Sequence, residues 1–244
     1  MATPVRLYQE EMHNNVGFFA TWLPGNALDL GDIGILEGGR FRTVGSLREL
    51  GVGTFDTREG TPQNMSYSAA ADKKVGVTAG VSTPVDAVKG ELSIRFTKQG
   101  GYVFEAARIR NIEIADRMAL GDRMMELEAQ SKWKKEWLVV DAVYKAGSAT
   151  IIVSEDDSSE IVLKASTTLP IGSLPLADPS LGLSVSSYTG KITHVVVQSD
   201  LTPLYSCLRI RHSMFGSSSV APVRGMGERS IQLARSSIGD LVDS

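Results

Sequence analysis

The sequence predicts an α+β protein built mainly from antiparallel strands. Short runs of apolar residues alternating with polar ones, separated by glycine-containing turns, recur along most of the 244 residues, and this pattern is typical of such strands. One longer run, from Asp116 to about Lys135, places Met118, Met125 and Ala129 on one side, as in an amphipathic helix. We therefore expect a twisted, mostly antiparallel sheet with one long helix and short flanking helices.

The N-terminal part of the chain predicts a short helix, a strand and a hairpin. Residues Val5 to Asn14 can form the helix, and the run VGFFATWLPG that follows is strand-like. The hairpin occupies residues 28–46 and turns at Gly38-Gly39. The run SLREL is expected to add one or two helical turns, with Ser46 as the N-cap.

Long, thin strands of small residues are predicted from Met65 to Phe96. Their apolar positions alternate with small or polar ones, and the apolar positions of interest are Val75, Val77, Val81, Leu92, Ile94 and Phe96. Glycine and serine bury little surface and weaken a strand. We therefore expect this region to form a poor core.

Three strands are predicted after the helix, at Trp137–Tyr144, Ser148–Ser154 and Glu160–Ser166, with a small-residue turn between the first two. A further hairpin is expected to turn at Thr189-Gly190. From residue 213 onward, glycine, serine and proline become frequent, as in an exposed linker. We predict a single α+β domain over residues 1–215, followed over residues 216–244 by a linker and a short amphipathic tail with a regulatory or partner-binding role.

Composition and motifs exclude several classes of function. A net charge of −3 argues against a dedicated nucleic-acid binder. Cys207 is the single cysteine, so an intrachain disulfide is impossible and a cytoplasmic location fits best. The three histidines lie far apart in sequence without a metal-binding spacing, and no nucleophile–base pair can be named. We expect no metal, no cofactor and no enzymatic activity. No stretch is long and apolar enough for a conventional transmembrane helix.

Basic residues gather across a predicted strand and the helix after it. The candidates for binding lipid headgroups are Arg108, Arg110, Lys132, Lys134 and Lys135. Each Lys or Arg near an anionic membrane surface contributes about 1 kcal/mol, so several together would matter. The alternative interpretation is a solvated face whose charges pair with Glu126, Glu128 and Glu136.

The segment YVFEAARIRNIEIADRMALGDRMMELEAQSKWKKEWLVVDAVYKAGSATIIVS resembles the middle of a gasdermin pore-forming domain. In that family, a strand leads into a helix and then into a strand of the type aromatic-V-V-x-x-V-x-K-S. The corresponding stretch here is Trp137 to Ala146, with the serine displaced to Ser148. The small-residue strands from Met65 to Phe96 fall where the first membrane-inserting hairpin of the family would lie. The strands from Trp137 to Ser166 fall near the second.

The resemblance implies a cytoplasmic, autoinhibited protein that moves to the cell membrane when activated. It would bind anionic lipids, assemble with copies of itself into a β-barrel pore and kill the cell in defence. Activation would come from a protease that removes the tail near Arg224 and Arg229, or from a related chain. The candidate membrane-inserting residues are Val75, Val77, Val81, Leu92, Ile94, Phe96, Val139, Val143, Ile151 and Val153.

Two other functions stay open at this point. The first is a non-catalytic cytoplasmic scaffold or binding domain that uses its C-terminal tail to engage a partner. The second is an enzyme of unfamiliar type, with Asp29, Asp32 or Asp141 in a cleft. Hydrogen exchange distinguishes a pore former from a scaffold, since a pore former should protect residues 65–96 weakly.

Overall fold

Helices and strands together form an α+β fold, as the sequence predicts. The computed structural model describes residues 4–21, 28–38, 40–69, 71–77, 87–88, 90–167, 169–170, 175–212 and 218–223. The helices are α1 (Pro4–Val16), α2 (Arg117–Ala129) and a 3-10 turn at Pro179–Leu181. The strands are β1 (Phe19–Ala20), β2 (Asp32–Glu37), β3 (Arg40–Ser46), β4 (Thr57–Glu59), β5 (Gln63–Ala69), β6 (Ala71–Val77), β7 (Ala87–Val88), β8 (Gly90–Phe96), β9 (Tyr102–Ile114), β10 (Leu138–Ser154), β11 (Ser159–Lys164), β12 (Leu169–Pro170), β13 (Ser184–Thr189), β14 (Ile192–His212) and β15 (Ser218–Pro222).

The chain folds as two compact units that are interleaved in sequence. Unit 1 consists of Met1–Tyr8, Thr61–Arg110 and Lys145–Leu201. Unit 2 consists of Gln9–Gly60, Asn111–Tyr144 and Thr202–Ser244. The long strands β9, β10 and β14 each contribute residues to both units. The predicted boundary between residues 215 and 216 stays a prediction, and β15 lies on its C-terminal side.

Unit 1 contains a four-stranded antiparallel sheet in the order β13-β11-β8-β6. Strand β8 lies inside it, with β6 on one side and β11 on the other. In the same unit, β5 pairs with the first part of β9. Contrary to the expected poor core, β8 buries Leu92, Ile94 and Phe96 completely. Their large side chains compensate for the small residues elsewhere in this region.

Unit 2 packs α2 against strands of an antiparallel sheet. The predicted β2–β3 hairpin is confirmed, and β2 also pairs with the start of β10. Asp116 caps the helix, because its side chain accepts a hydrogen bond from the Ala119 backbone N–H at 2.9 Å. The helix buries Leu120, Met124 and Leu127 in a cluster with apolar residues of the strands and with Trp133.

A glycine determines the packing inside the β2–β3 hairpin. A Cβ atom at Gly34 would overlap the ring of Phe41 and approach the Arg42 carbonyl oxygen. The pairing register shifts between Ile33 and Gly34, which is a β-bulge. The missing side chain therefore provides the space in which the Phe41 ring lies.

The predicted turn inside residues 137–154 is wrong, because β10 runs without interruption for 17 residues. Gly147, which suggested the turn, lies under the Arg108 side chain: a Cβ atom there would be 2.9 Å from the Arg108 Nε. Glycine in the interior of a strand commonly marks such a close approach. Residues 138–143 of β10 are all buried, so both faces of this part of the strand are covered.

Three smaller predictions also need correction. The predicted hairpin at Thr189-Gly190 does not form, because β13 pairs with β11 and β14 belongs to another sheet. Helix α2 ends at Ala129, six residues before Lys135. The SLREL segment forms a turn, although Ser46 and Glu49 exchange the two hydrogen bonds of a helix capping box. Among the described residues, no helix is long and apolar enough to cross a membrane.

Candidate functional site

The four-stranded sheet of unit 1 has one apolar face and one polar face. Strand β8 alternates fully buried Leu92, Ile94 and Phe96 with exposed Glu91 and Arg95. The partner strand β11 alternates in the same way, with Ile161 and Leu163 buried. The register places Ile94 opposite Ile161 and Leu92 opposite Leu163, so the apolar side chains of the two strands share one face.

Charged side chains hold the polar face of this sheet together only weakly. Arg95 donates to the Glu160 carboxylate at 3.1 Å, and Ser93 also contacts that carboxylate. Lys164 lies 3.4 Å from Glu91, and more than two fifths of each of these side chains is exposed. Exposed ion pairs of this kind contribute roughly 0–1 kcal/mol each. The stability of this sheet therefore depends mainly on the segments that cover its apolar face.

A short segment, Pro175 to Leu183, covers part of that face and is called the strap below. Its side chains Leu176, Leu181 and Leu183 are buried in the same cluster as the apolar residues of β8 and β11. The strap has little regular structure, with one 3-10 turn that Asp178 caps by accepting from the Ser180 backbone N–H at 2.8 Å. Polar side chains from neighbouring strands therefore have to fix its position.

The strap is anchored by side chains of β9 and β10. The Glu105 carboxylate accepts from the Leu176 backbone N–H at 2.7 Å. Thr150 donates its hydroxyl to the Leu176 carbonyl oxygen at 2.5 Å, and Ser148 donates to the Ala177 carbonyl oxygen at 2.6 Å. Each of these three side chains is buried. A buried polar group costs free energy unless it is hydrogen-bonded, so these contacts specify one position for the strap.

The predicted membrane-inserting residues fall into three groups. Leu92, Ile94 and Phe96 lie in the core of unit 1, and Ile151 and Val153 are buried in the part of β10 that belongs to unit 1. Val139 and Val143 are buried in the clusters of unit 2. The backbones of Val75 and Val77 belong to β6, and Val81 lies outside the described residues. Whether any of these residues enters a membrane stays a prediction.

The predicted headgroup-binding residues are all exposed. Arg108 and Arg110 occupy alternate positions of β9, and the Arg108 backbone N–H donates to the Asn64 side-chain oxygen at 3.1 Å. Arg108 also has a positive φ of 51°, which is uncommon for a residue with a side chain. The three lysines follow α2 in a segment without helix, where Lys134 Nζ lies 5.5 Å from the centre of the Trp137 ring.

Asp141 lies in a buried ion pair of unit 2. Its carboxylate lies 2.8 Å from the Arg117 Nε and accepts the Ser206 hydroxyl at 2.7 Å. Burial raises the pKa of Asp141, although the Ser206 hydrogen bond and the Arg117 charge oppose this shift. Asp29 and Asp32 form a local turn, in which the Asp29 backbone N–H donates to the Asp32 carboxylate at 3.0 Å.

A groove of about 440 Å³ lies between α2 and β15 in unit 2. Met118 and Met125 of the helix and Val220 of the strand contribute apolar surface, and the Met118 side chain is 83% exposed. The Gly121 Cα lies close to Val220, since a Cβ there would be 3.6 Å from the valine Cβ. The predicted cleavage residues Arg224 and Arg229 lie outside the described residues, just beyond β15.

Glu105 is the residue of this site that the sequence interpretation missed. Its carboxylate is the single charge in the apolar run YVFEAA at the start of β9. A charged residue is seldom buried unless it is paired. That rule, applied to this run, could have identified Glu105 as a residue with a specific partner.

Comparison with solved structures shows that this chain is similar to the gasdermin A3 membrane pore, with 10% sequence identity and a TM-score of 0.39. The similarity covers 89% of this chain and 94% of the compared chain. No family model and no curated protein matches the chain.

Proposed function

We propose that this protein permeabilises membranes and that the four-stranded sheet of unit 1 is the part that inserts. The observation that supports this most directly is the division of β8 and β11 into an apolar face and a polar face. A membrane-spanning strand needs the same alternation, with one side towards lipid and the other towards water. Here the apolar side is covered by the strap and by the rest of the unit 1 core.

The proposed insertion requires several copies of the chain. Unpaired strand edges are too costly to face lipid, so the inserted strands have to close into a ring of protomers. Strands β6 and β8 have seven residues each, and β11 and β13 have six. A spanning strand needs ~9–11 residues. Insertion would therefore lengthen each strand by roughly two to five residues at the expense of the adjoining segments.

Within this proposal, β11 and β13 are better candidates than β10 for inserting together with β8, because they already belong to the same sheet as β8. The pairing favours a transition in which the four strands leave the core together. The β10 candidates Val139, Val143, Ile151 and Val153 remain a prediction of the family resemblance. They would have to leave strand pairs and clusters outside this sheet.

The exposed basic residues would supply the membrane contact. Lys132, Lys134 and Lys135 stand close together in sequence and carry three positive charges, next to a half-buried Trp137. Tryptophan is enriched where apolar and headgroup regions meet. We infer that this segment meets an anionic membrane surface, while Arg108 and Arg110 make the corresponding contact in unit 1.

Activation is proposed to involve the C-terminal segment. A protease would cut near Arg224 or Arg229, or a related chain would displace the tail. The protein would thereby pass from the cytoplasm to the cell membrane and cause cell death in defence. Strand β15 lies inside the predicted linker and tail region, and its pairing with β14 and contact with α2 anchor that part of the chain.

Dye release from liposomes tests the proposal. The full chain is compared before and after limited proteolysis, on anionic and on zwitterionic vesicles, and leakage is expected from proteolysed protein on anionic vesicles. Reversing Lys132, Lys134 and Lys135 to Glu should weaken leakage by at least about 100-fold, since the loss of each positive charge alone removes about 1 kcal/mol. A matched variant reverses the exposed Arg40, Arg42 and Arg48 and should leak like the unaltered chain. No leakage under any condition would exclude the proposal.

A partner-binding scaffold is the second candidate, and the groove between α2 and β15 favours it. An exposed Met118 beside Met125 and Val220 offers an adaptable apolar surface. Such a protein needs no mobile sheet. Uniformly strong hydrogen-exchange protection over β6, β8, β11 and β13, combined with absent leakage, would favour the scaffold.

A further inference from the structure

We propose that Glu105 is a latch that holds the strap and strand β6 together over the core of unit 1. Its release would uncover the apolar face of the four-stranded sheet. The latch itself is a claim about local stability, and only its consequence for insertion rests on the proposed function.

The geometry of Glu105 joins three segments at one carboxylate. Glu105 lies in β9 between Phe104 and Ala106, and all three residues are buried. One carboxylate oxygen accepts from the Leu176 backbone N–H at 2.7 Å, and the other lies 3.0 Å from Lys73 Nζ. Leu176 belongs to the strap and Lys73 to β6, so both depend on the same side chain.

The chemistry of the contact requires a carboxylate. Its two oxygens both accept hydrogen bonds, and they satisfy a backbone N–H and an ammonium group at the same time. A glutamine could accept from Leu176, but its amide group would then direct N–H bonds at the Lys73 ammonium. Hydrogen bonds to an ionised group are also roughly twice as strong as those between neutral groups.

The other anchors of the strap are neutral. Ser148 and Thr150 donate hydroxyls to strap carbonyl oxygens, and Thr150 also accepts from the Val197 backbone N–H at 3.0 Å. The strap backbone at Leu181 is further held by the Ser166 N–H at 3.1 Å. These contacts position the strap but do not reach β6, whereas Glu105 connects the strap to β6 through Lys73.

The position of β6 beside β8 explains why release of the latch would expose apolar side chains. Strand β6 lies last in the strand order β13-β11-β8-β6 and pairs with β8 along seven residues, with Lys73 opposite Ile94. Loss of the Glu105 carboxylate would free the strand beside β8 and, on the apolar side, loosen the leucines that cover it. Both changes would expose the face that carries Leu92, Ile94 and Phe96.

Hydrogen exchange of the full chain tests the latch without reference to membranes. The variant Glu105→Gln should accelerate amide exchange in peptides covering residues 71–77, 90–96 and 175–183 by about 10- to 100-fold, the range expected for a lost hydrogen bond to a buried charge. The matched control is Glu91→Gln, which breaks the exposed pair with Lys164 in the same sheet. That control should change exchange less than about threefold.

Two further variants separate the two arms of the latch. Lys73→Gln should accelerate exchange in residues 71–77 while the strap stays protected, since Leu176 keeps its carboxylate. Ser148→Ala combined with Thr150→Val should accelerate exchange in the strap more than in residues 71–77. Should Glu105→Gln not fold, the latch is judged on Lys73→Gln. Unchanged exchange, or an equal increase throughout both units, would overturn the latch.

Liposome leakage of the same proteins separates the latch from the proposed function. Faster local exchange in Glu105→Gln together with faster leakage supports both ideas. Faster local exchange without leakage under any condition supports the latch and excludes the membrane function. Leakage by the unaltered chain after proteolysis, with unchanged exchange in Glu105→Gln, supports the membrane function and excludes the latch.

Discussion

Arg117, the first residue of α2, places its Nε 2.8 Å from the carboxylate of Asp141 in β10. The two partners differ in their surroundings, because 47% of the Arg117 side chain is exposed but only 3% of the Asp141 side chain. Arg117 also reaches Glu113 at 3.2 Å, and Asp141 accepts from Ser206. The pair is therefore unequal. Water can hydrate the arginine when the aspartate is removed, but it cannot hydrate the buried aspartate when the arginine is removed.

We predict that Arg117→Gln is strongly destabilising. It leaves the Asp141 carboxylate buried with Ser206 as a neutral partner, and an uncompensated buried charge costs about 3–5 kcal/mol. Urea unfolding at neutral pH measures the free energy of unfolding. The control is Arg123→Gln on the same helix, which removes an exposed pair with Glu126 and should cost less than about 0.5 kcal/mol.

Asp141→Asn, in contrast to Arg117→Gln, should destabilise the protein little or not at all. It removes the buried charge, and the arginine left behind is hydrated and keeps Glu113. We expect the free energy of unfolding at neutral pH to stay within about 1 kcal/mol of the unaltered protein, or to rise. A loss as large as that of Arg117→Gln would contradict the assigned asymmetry.

The pH dependence of stability follows from the same carboxyl. Burial raises the pKa of Asp141 above its unfolded value, so the folded protein binds this proton more tightly than the unfolded chain does. Its favourable contribution is fully present below the unfolded pKa, near 3.9, and is lost as the pH rises through the folded pKa. Urea unfolding at several acidic pH values should show this slope in the unaltered protein and a smaller slope in Asp141→Asn.

Cys207 should report the integrity of the β14–β15 region. The thiol is buried beside Val223, and burial raises the pKa of Cys207 well above its usual value. A thiol reagent should therefore label folded protein slowly and denatured protein at once. Val223→Ala removes buried methyl groups worth about 1–2 kcal/mol and should accelerate labelling, whereas Val44→Ala, at an exposed valine, should not.

Gly182 is predicted to be intolerant of substitution. Its φ is +55°, and a Cβ atom would overlap the Ser166 hydroxyl. Gly182→Ala should therefore cost roughly 1–2 kcal/mol from the left-handed backbone, in addition to the overlap. Combination with Ser166→Gly should restore only the part of the lost stability that comes from the overlap with the Ser166 hydroxyl. Thermal unfolding of the single and double variants measures the two contributions, and a neutral Gly182→Ala would contradict the strap conformation.

The sequence predicted those features whose causes are local. The hairpin turn at Gly38 has a φ of +58°, which a glycine adopts readily. The alternation of Leu92, Ile94 and Phe96 correctly placed these side chains on one face of β8, although a poor core was expected in this region. Gly147 misled the interpretation, since a glycine required by the nearby Arg108 side chain looks in sequence like a glycine required by a turn. That distinction depends on a residue 39 positions away.

Strand partners and the strap depend on contacts that periodicity does not encode. The run that forms β13 carries the same alternation whether it pairs with β14 or with β11, and only packing decides the outcome. The strap is held by side chains 26 to 71 positions distant in sequence. The buried charge of Glu105 was visible in the sequence, but its partners Lys73 and Leu176 were not.

The space that Gly34 leaves for the Phe41 ring has a consequence for how the β2–β3 hairpin finds its alignment. A slip of one position would turn the phenylalanine to the opposite face, and a slip of two would bring its ring against a position that carries a side chain. The Phe41 ring thus fits only opposite the position that lacks a Cβ atom, on the neighbouring strand. The alignment of this hairpin is therefore restricted by a contact between its own two strands.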